Sequence, residues 1–495
     1  MSRPNTPSAE SDGNLAAITL LVEELRPALD RRDRGRQNRV IRDLMQLDAP
    51  LGEQWHQLAR IAARNGESEL ASGAMEKFVG ATGGSHQAQY LKASLLEQLG
   101  RLPEALRILS ALPPNFPDPA ANAYSRGTAA LFLGRAEEAR EQLIRATQLM
   151  PGSGSAWLSL TMAVDPAAAP EVAEAVIAAE GAVRAQPPAQ RASWWYARGR
   201  VHAARAEYED AFFAFSAGAR EMKGVAPHDR NAEARRVAEA TMGHSAASVA
   251  EISRQQTVSS SRTIFVTGSP RTGTTLVEQI LTSHSKVSDG GEINRLPILA
   301  HEVGGVSGEA LARFVENRDP SEAVQLWDHL IEQRFPGADR VVDKTLNTTR
   351  FLGLAAALLP EAPIIWLTRD PLDCAWSCFR TFFPVSMSWS YDLEDIAAFL
   401  QQERRLLEQW RDILGERLLI VPYESLVDQP VEWTRRILVH CGLPEEEQVF
   451  APHANGRTVT TASVMQVRRP INREGVGAAE PYRDFLRPFV DAYYS

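Results

Sequence analysis

The stretch that most constrains the fold runs Ile264-Phe-Val-Thr-Gly-Ser-Pro-Arg-Thr-Gly-Thr-Thr-Leu-Val-Glu-Gln-Ile-Leu281. Thr263 to Val266 is a β-branched and aromatic run of the kind that forms a buried strand. Gly268, Ser269, Pro270 and Gly273 make a turn, after which Leu276, Val277, Ile280 and Leu281 recur at helical spacing. Strand, glycine turn and helix in that order leave the N–H groups of the turn and of the first helical turn without internal partners. The helix dipole favours an anion at the same place, so the stretch reads as a phosphate cradle. Its spacing, Gly268-x4-Gly273, is that of a Walker A loop, but Thr274 and Thr275 stand where a nucleoside triphosphatase has Lys and then Ser or Thr. Arg271 lies inside the loop instead. The expected ligand is therefore an anionic nucleotide other than ATP or GTP. A tight turn with no ligand is the plainer alternative; the coincidence of glycines, hydroxyls and an arginine at one junction weighs against it.

The chain after this loop alternates strand and helix. Arg340-Val-Val-Asp343, Ala362 to Thr368 and Leu418-Leu-Ile-Val421 read as strands, with helices over Thr349 to Leu359, from about Leu372, and over Leu393 to Leu414. Such alternation predicts a parallel sheet covered by helices, with ligands at the carboxyl ends of its strands. Arg271, Lys344, Arg369 and Tyr423 each follow a predicted strand directly, so the sheet is expected to gather them at one edge.

A chain of 495 residues is too long for one core and implies two or three domains. Residues 52–225 carry a period of about 34 residues, the tetratricopeptide length. Trp55, Leu58, Ala59, Gly66 and Ala71 hold one set of positions, Ala93, Gly100, Ala105, Leu109 and Pro117 a second, and Gly127, Gly134, Ala139, Leu143, Ala146 and Pro151 a third. Trp157 and Leu160 begin a looser fourth unit, and Trp195, Gly199, Ala211 and Phe215 mark a shifted fifth. Small residues let antiparallel helices approach, and the glycines at the turns supply left-handed caps. Trp55, Trp157, Trp194 and Trp195 are expected to pack rather than bind a ligand. The predicted organisation is a disordered tail over 1–14, an all-α tetratricopeptide solenoid with capping helices over 15–225, a helical connector over 226–260, and an α/β domain over 261–495.

A net charge of −9 argues against a general nucleic-acid or membrane-surface binder. Three cysteines, Cys374, Cys378 and Cys441, make neither a disulfide framework nor a zinc pattern. The N-terminus lacks the apolar stretch of a signal peptide, and a cytoplasmic location is expected.

The loop Gly268-Ser-Pro-Arg-Thr-Gly-Thr-Thr275 resembles the 5′-phosphosulfate loop of sulfotransferases that use 3′-phosphoadenosine-5′-phosphosulfate (PAPS). Leu367-Thr-Arg-Asp-Pro-Leu-Asp-Cys-Ala-Trp-Ser377 is similar to the same family's 3′-phosphate motif, with Arg369 and Ser377 at its two phosphate-gripping positions. The resemblance covers about residues 262–470, and the array before it looks like that of bacterial proteins that fuse tetratricopeptide repeats to a sulfotransferase. The catalytic pattern resembles that of tyrosylprotein sulfotransferases. It implies a P-loop-like α/β sulfotransferase domain with Glu292 as catalytic base, Lys344 beside the transferred group, Arg271 on the leaving 5′-phosphate, Tyr423 against the adenine and Ser463 near the sulfate. Ser269, Pro270, Arg271, Thr272, Gly273, Thr274 and Thr275 would form the cofactor loop. Two departures stand out. Gly475-Val-Gly-Ala-Ala-Glu-Pro-Tyr482 lies where relatives carry basic residues, with Arg468, Arg469 or Arg473 as substitutes, and Asn294 stands in place of a substrate-binding arginine.

The chemistry suits the residues without the resemblance. Sulfuryl transfer asks for alignment and for charge stabilisation at the leaving oxygen, which Arg271, Lys344 and the loop N–H groups could supply. Glu292 could take the proton of an acceptor hydroxyl. His284 is the alternative base, although its place after the first helix suits packing or capping better. No metal is expected. Two other classes stay open at this point: a nucleotide-kinase-like P-loop enzyme, and a repeat scaffold with an inactive transferase domain. The acceptor (peptide tyrosine, glycan or small molecule) is not specified by the sequence. The repeat array offers a surface to hold an acceptor or peptide partner, and a homodimer is compatible with this reading. Because every cofactor motif follows Arg262, the array is expected to be dispensable for binding the nucleotide.

Overall fold

The computed structural model describes residues 9–288, 290–383, 385–455 and 468–495. It divides into two compact units, one of residues up to Asp118 together with Leu330–Pro336, the other of Pro119–His329 and Gly337–Ser495.

The first unit is helical. Helix α1 (Ala9–Asp30) begins inside the stretch read as a tail, and α2 (Arg34–Gln46) packs beside it. Two antiparallel hairpins follow, α3 (Gln54–Arg64) with α4 (Ser68–Ala81) and α5 (His86–Gln98) with α6 (Leu102–Ala111). Their turns contain Gly66 and Gly100 at φ of 85° and 75°, the left-handed conformation the repeat pattern demands. Trp55 lies in the apolar core with Leu58, Ala59, Ala71 and Phe78, its indole donating to the Ala49 carbonyl at 3.2 Å.

The second unit continues the helical pattern and adds the sheet. Helices α7 (Pro119–Phe132) and α8 (Ala136–Leu149) form the most regular hairpin. Then come α9 (Gly154–Ala163), α10 (Pro170–Ala178), the short α11 (Glu180–Val183), and a last hairpin of α12 (Pro188–Ala204) and α13 (Tyr208–Val225). Trp157 and Trp194 are buried and donate to the carbonyls of Pro151 and Val176, both at 2.8 Å, which places them as packing residues. Helices α14 (Arg230–Thr241) and α15 (Ala246–Arg254) are N-capped by Asp229 and by Ser245, and lead to the sheet.

The sheet has five parallel strands in the order β2-β3-β1-β4-β5, formed by β1 (Thr263–Gly268), β2 (Val287–Ser288), β3 (Arg340–Asp343), β4 (Ile364–Thr368) and β5 (Leu418–Pro422). β1 is central and buried along its whole length because helices cover both faces. Ile264 and Val266 meet Val277, Ile280 and Leu281 of α16 (Thr274–Thr282), while Phe265 lies on the Trp327 ring at 5.8 Å between centroids. β2, only two residues long, carries no run by which alternation could reveal it. Helices α17 (Leu296–Val303), α18 (Gly308–Asn317) and α19 (Pro320–Glu332) lie between β2 and β3. A 3₁₀ turn over Thr348–Phe351 and α20 (Leu352–Leu358) follow β3. After β4 come α21 (Pro371–Phe379) and α22 (Leu393–Leu414); after β5 come α23 (Tyr423–Asp428), α24 (Pro430–His440) and the terminal α25 (Arg487–Tyr494).

One core joins the last helical hairpin to the sheet region. Tyr196, Ala211, Phe215 and Met222 of α12 and α13 share it with Trp376 and Phe379 of α21, Phe399 of α22 and Phe489 of α25. Phe212 stacks on Trp376, Phe379 and Phe485 with centroids 6.3, 5.6 and 5.0 Å apart. The last helical hairpin therefore packs as part of the region that carries the cofactor motifs, rather than as a separate core. The repeat period marks local helix pairing, and it carries no sign of which hairpin shares a core with a later domain.

Candidate donor-nucleotide site

Because the strands are parallel, their carboxyl ends lie at one edge, and each is followed by a residue singled out in the sequence. β1 runs into the loop over 269–273, β3 into Lys344, β4 into Arg369 and β5 into Tyr423. Their side chains meet around a cavity of about 590 Å³ lined by Pro270, Arg271, Gly273, Thr274, Thr275, Glu292, Lys344, Arg369, Ser377, Tyr423 and residues described below.

The loop takes the geometry of an anion cradle. Gly273 caps α16 at φ of 101°, and a Cβ there would fall 2.6 Å from the Tyr423 ring. Gly268, at φ of 135°, brings the backbone so close to β4 that a Cβ would sit 2.5 Å from the Leu367 carbonyl oxygen. Arg271 also adopts a left-handed φ of 71°, and its Nε donates to the Ser377 hydroxyl at 3.0 Å. Arg369 donates through one Nη to the Arg271 carbonyl at 2.8 Å and through the other to the Gly475 carbonyl. Its Cζ lies 4.8 Å from the centre of the Tyr423 ring. Its Nε is buried and has no hydrogen-bond partner, an unmet donor of the kind a bound phosphate oxygen satisfies.

Ser269 and Thr272 do not line this cavity. Both are buried, with the Thr272 hydroxyl donating to the Ser269 carbonyl at 2.7 Å, and they line a smaller cavity of about 220 Å³ beside α21 and α22. Cys374 and Cys378 are free and buried, their thiols 3.4 and 3.5 Å from the Pro270 carbonyl oxygen, so they brace the loop from behind. Ser463 lies outside the described residues.

On the opposite wall Lys344 Nζ donates to Glu292 Oε1 at 3.0 Å. The lysine side chain is 2% exposed and the glutamate 38%, so the buried ammonium is neutralised by a carboxylate that still reaches solvent. The backbone ties the two segments together through Lys344 N–H to the Gly291 carbonyl at 2.8 Å. His284 takes no part. It is buried, with Nε2 3.0 Å from the Pro444 carbonyl oxygen and Nδ1 accepting from Lys286 N–H at 3.1 Å, which fixes it as a packing residue.

Sequence reasoning missed one charged contributor. Arg380, the C-cap of α21, lines the cavity. It stands three residues after Ser377, hence on the same helix face, and that spacing was the signal available. The C-terminal segment, named in the sequence for its unusual composition, also reaches the cavity: Arg469, Ile471, Asn472, Glu474 and Gly475 close it. Asp373 pins this segment by accepting from Gly477 and Ala479 N–H at 2.7 and 2.8 Å. Of the three arginines nominated to compensate for its composition, Arg469 reaches the cavity and pairs with Glu474 at 2.7 Å. Arg473 pairs with Asp428 at 2.8 Å, and Arg468 packs against Gly134 at the turn between α7 and α8.

The cavity is strongly positive. Burial, then the charges of Arg380 and Arg369, push Arg271 down to about 10. Burial, then Arg200 and Arg369, push Arg380 down to about 10 as well. Both stay protonated at neutral pH. For a base lowered in this way the cost to stability is present at every pH below about 10 and is recovered only above it, where the unfolded chain holds more protons than the folded one. Clustered guanidinium groups of this kind call for an anion. A His202–Glu207–Asp210 grouping occurs at the turn between α12 and α13; none of its members lines the cavity. Among the described residues no helix is long and apolar enough to cross a membrane.

Known proteins bear on this site. A model of the sulfotransferase family matches residues 263–447, and a tetratricopeptide-repeat model matches residues 56–119. The chain is 34% identical over 247 residues to an uncharacterized protein of Aquifex aeolicus strain VF5, covering 47% of this chain and 32% of that one. It is 26% identical over 231 residues to the protein-tyrosine sulfotransferase of Drosophila melanogaster, covering 43% and 46%. Protein-tyrosine sulfotransferase 1 of Danio rerio is likewise 26% identical over 231 residues, covering 43% and 64%. The chain thus spans about a third and about half of the length of the first two of these relatives. Among solved structures, the sulfotransferase domain from the curacin biosynthetic pathway aligns at 19% identity and a TM-score of 0.31, over 43% of this chain and 89% of that one. Residues 263–447 of this chain are thus similar to the sulfotransferase family, and residues 56–119 to the tetratricopeptide repeats.

Proposed function

We propose that the protein transfers a sulfuryl group from PAPS to an acceptor hydroxyl. The observation that carries this reading is the arginine-lined cavity at the carboxyl edge of the sheet, with the unpartnered Nε of Arg369 at one end and the Lys344–Glu292 pair at the other. PAPS, when bound, supplies a sulfuryl group already activated on a phosphate leaving group. Thr274 and Thr275, with the N–H groups at the start of α16, hold the 5′-phosphosulfate, and Arg271 offsets charge on the leaving oxygen. Arg369 and Ser377 hold the 3′-phosphate, and the Tyr423 ring, wedged against Gly273, gives the adenine a flat wall.

Glu292 accepts the acceptor's proton. Lys344 has three N–H donors and gives one to Glu292, which leaves others to direct at the transferred group.

The acceptor class is not fixed by these residues. Asn294, exposed and bonded through its N–H to the Thr345 hydroxyl at 2.7 Å, puts no cation where a tyrosine-sulfating relative would hold an acidic peptide. Calorimetry of the full chain with 3′-phosphoadenosine-5′-phosphate (PAP) tests the reading. Binding without magnesium is expected; no affinity for PAP, or tight binding of ATP with magnesium, would overturn it. A screen of acceptors with labelled PAPS then identifies the substrate.

A further inference from the structure

Helix α12, in the last helical hairpin, carries Tyr196 and Arg200 one turn apart and therefore on one face. That face meets the C-terminal end of α21. The fully buried Tyr196 hydroxyl donates to the Phe379 carbonyl at 3.1 Å, and the next residue is Arg380, on the cavity wall. The bond satisfies one of the carbonyls that a helix end leaves unpaired. From the other side, Arg200 Nε and Nη2 both donate to the Thr161 carbonyl near the end of α9, at 3.2 and 2.8 Å. The guanidinium is thus fixed in place by helices of the repeat pattern, with other N–H groups to spare.

Its setting is costly unless an anion is present. Among the described residues Arg200, Arg369 and Arg380 are ion-paired to no carboxylate. Asp165 is the carboxylate that acts on Arg200, and more weakly than Arg271 does in the opposite sense. Asp373 and Tyr482 face Arg380, but Asp373 already accepts two backbone N–H groups of the C-terminal segment. Four guanidinium groups from four elements, α12, the loop after β1, the end of β4 and the end of α21, therefore share one field.

We infer that Arg200 is a positioning residue of the donor site, supplied by the repeat hairpin, which adds a fixed positive charge behind Arg271 and Arg380 and so selects a nucleotide with a second phosphate. This rests on the reading of the cavity as a PAPS site. It makes the last hairpin a component of the transferase, and gives anything that displaces α12 a route to donor affinity.

The test compares Arg200→Met and Arg200→Lys with the full-length wild type, using PAP and adenosine 5′-monophosphate in a calorimeter and melting temperature without nucleotide. Arg200→Met should weaken PAP by about fivefold or more, the effect of one partly screened charge, and weaken the monophosphate, which carries fewer charges, by a clearly smaller factor. Its melting temperature should hold or rise, because a repelled charge is gone, and Arg200→Lys should restore most of the affinity. A structural residue would behave oppositely, with a lower melting temperature and equal loss for both nucleotides; either result would overturn the inference, as would unchanged PAP affinity in Arg200→Met. A third arm measures melting temperature against inorganic sulfate. If the wild type fails to bind PAP yet is stabilised by sulfate more than Arg200→Met is, the nucleotide reading falls and the anion site stands. Equal stabilisation of both chains would remove Arg200 from the site.

Discussion

At the scale of single residues the site divides into groups that hold and groups that react. Arg369 holds: three of its features, two backbone carbonyls as acceptors, a tyrosine ring beneath and one unmet buried donor, orient it as a clamp. Charge-assisted hydrogen bonds contribute about 1.5–3 kcal/mol each, so Arg369→Ala should weaken PAPS tenfold or more, and Ser377→Ala should do so less. Adenosine 5′-phosphosulfate, which lacks the 3′-phosphate, should be nearly indifferent to either change; equal loss for both ligands would assign Arg369 elsewhere. Glu292 reacts. Glu292→Gln keeps the size but cannot take a proton, so turnover should fall roughly 10²–10⁴-fold with cofactor affinity little changed. Lys344→Ala should lower turnover and weaken PAPS as well. Single-turnover rates with a saturating acceptor separate the two, and a Glu292→Gln chain of near-normal rate would move the base elsewhere. With both His284 nitrogens already engaged, a second histidine base is not waiting in that position.

Among the elements, α21 connects the most. Its N-terminus follows Arg369, its middle carries Ser377, its end carries Arg380, Asp373 ties down the C-terminal segment, and its apolar face packs on α12 and α13. Much of this was legible in the sequence. The strands at Arg340–Asp343 and Leu418–Pro422 and the helix over Leu393–Leu414 follow from period and composition. The gathering of Arg271, Lys344, Arg369 and Tyr423 follows from parallel topology alone. What stayed hidden depends on tertiary contact. A two-residue strand has no period, and Phe212 or Phe215 looks like any repeat core residue until α21 is seen against it. That core gives a stability prediction. Phe215 is buried against the edge of Trp376 at 5.7 Å and over Gly199, so Phe215→Ala should cost about 3–5 kcal/mol in denaturant unfolding. A loss below about 1 kcal/mol would mean that the hairpin and α21 do not share a core.

For the molecule as a whole, the division that matters runs within the helical repeats, before Pro119, and the later hairpins fold with the sheet. A fragment beginning near residue 250 exposes Trp376 and Phe379 and should be insoluble or molten, whereas one beginning at Pro119 keeps the shared core and should bind PAP. Circular dichroism and a PAP titration of the two fragments check this, and a well-folded short fragment with full affinity would bear out instead the expectation that the whole array is dispensable for binding the nucleotide. The central claim is that the positive cavity is built for a nucleotide carrying phosphate at both the 5′ and the 3′ positions. The most direct measurement is the ratio of affinities of the full chain for PAP and adenosine 5′-monophosphate at one ionic strength. The account predicts that PAP binds at least about tenfold more tightly, the equivalent of about 1.4 kcal/mol; equal affinities, or no binding of either, would contradict it.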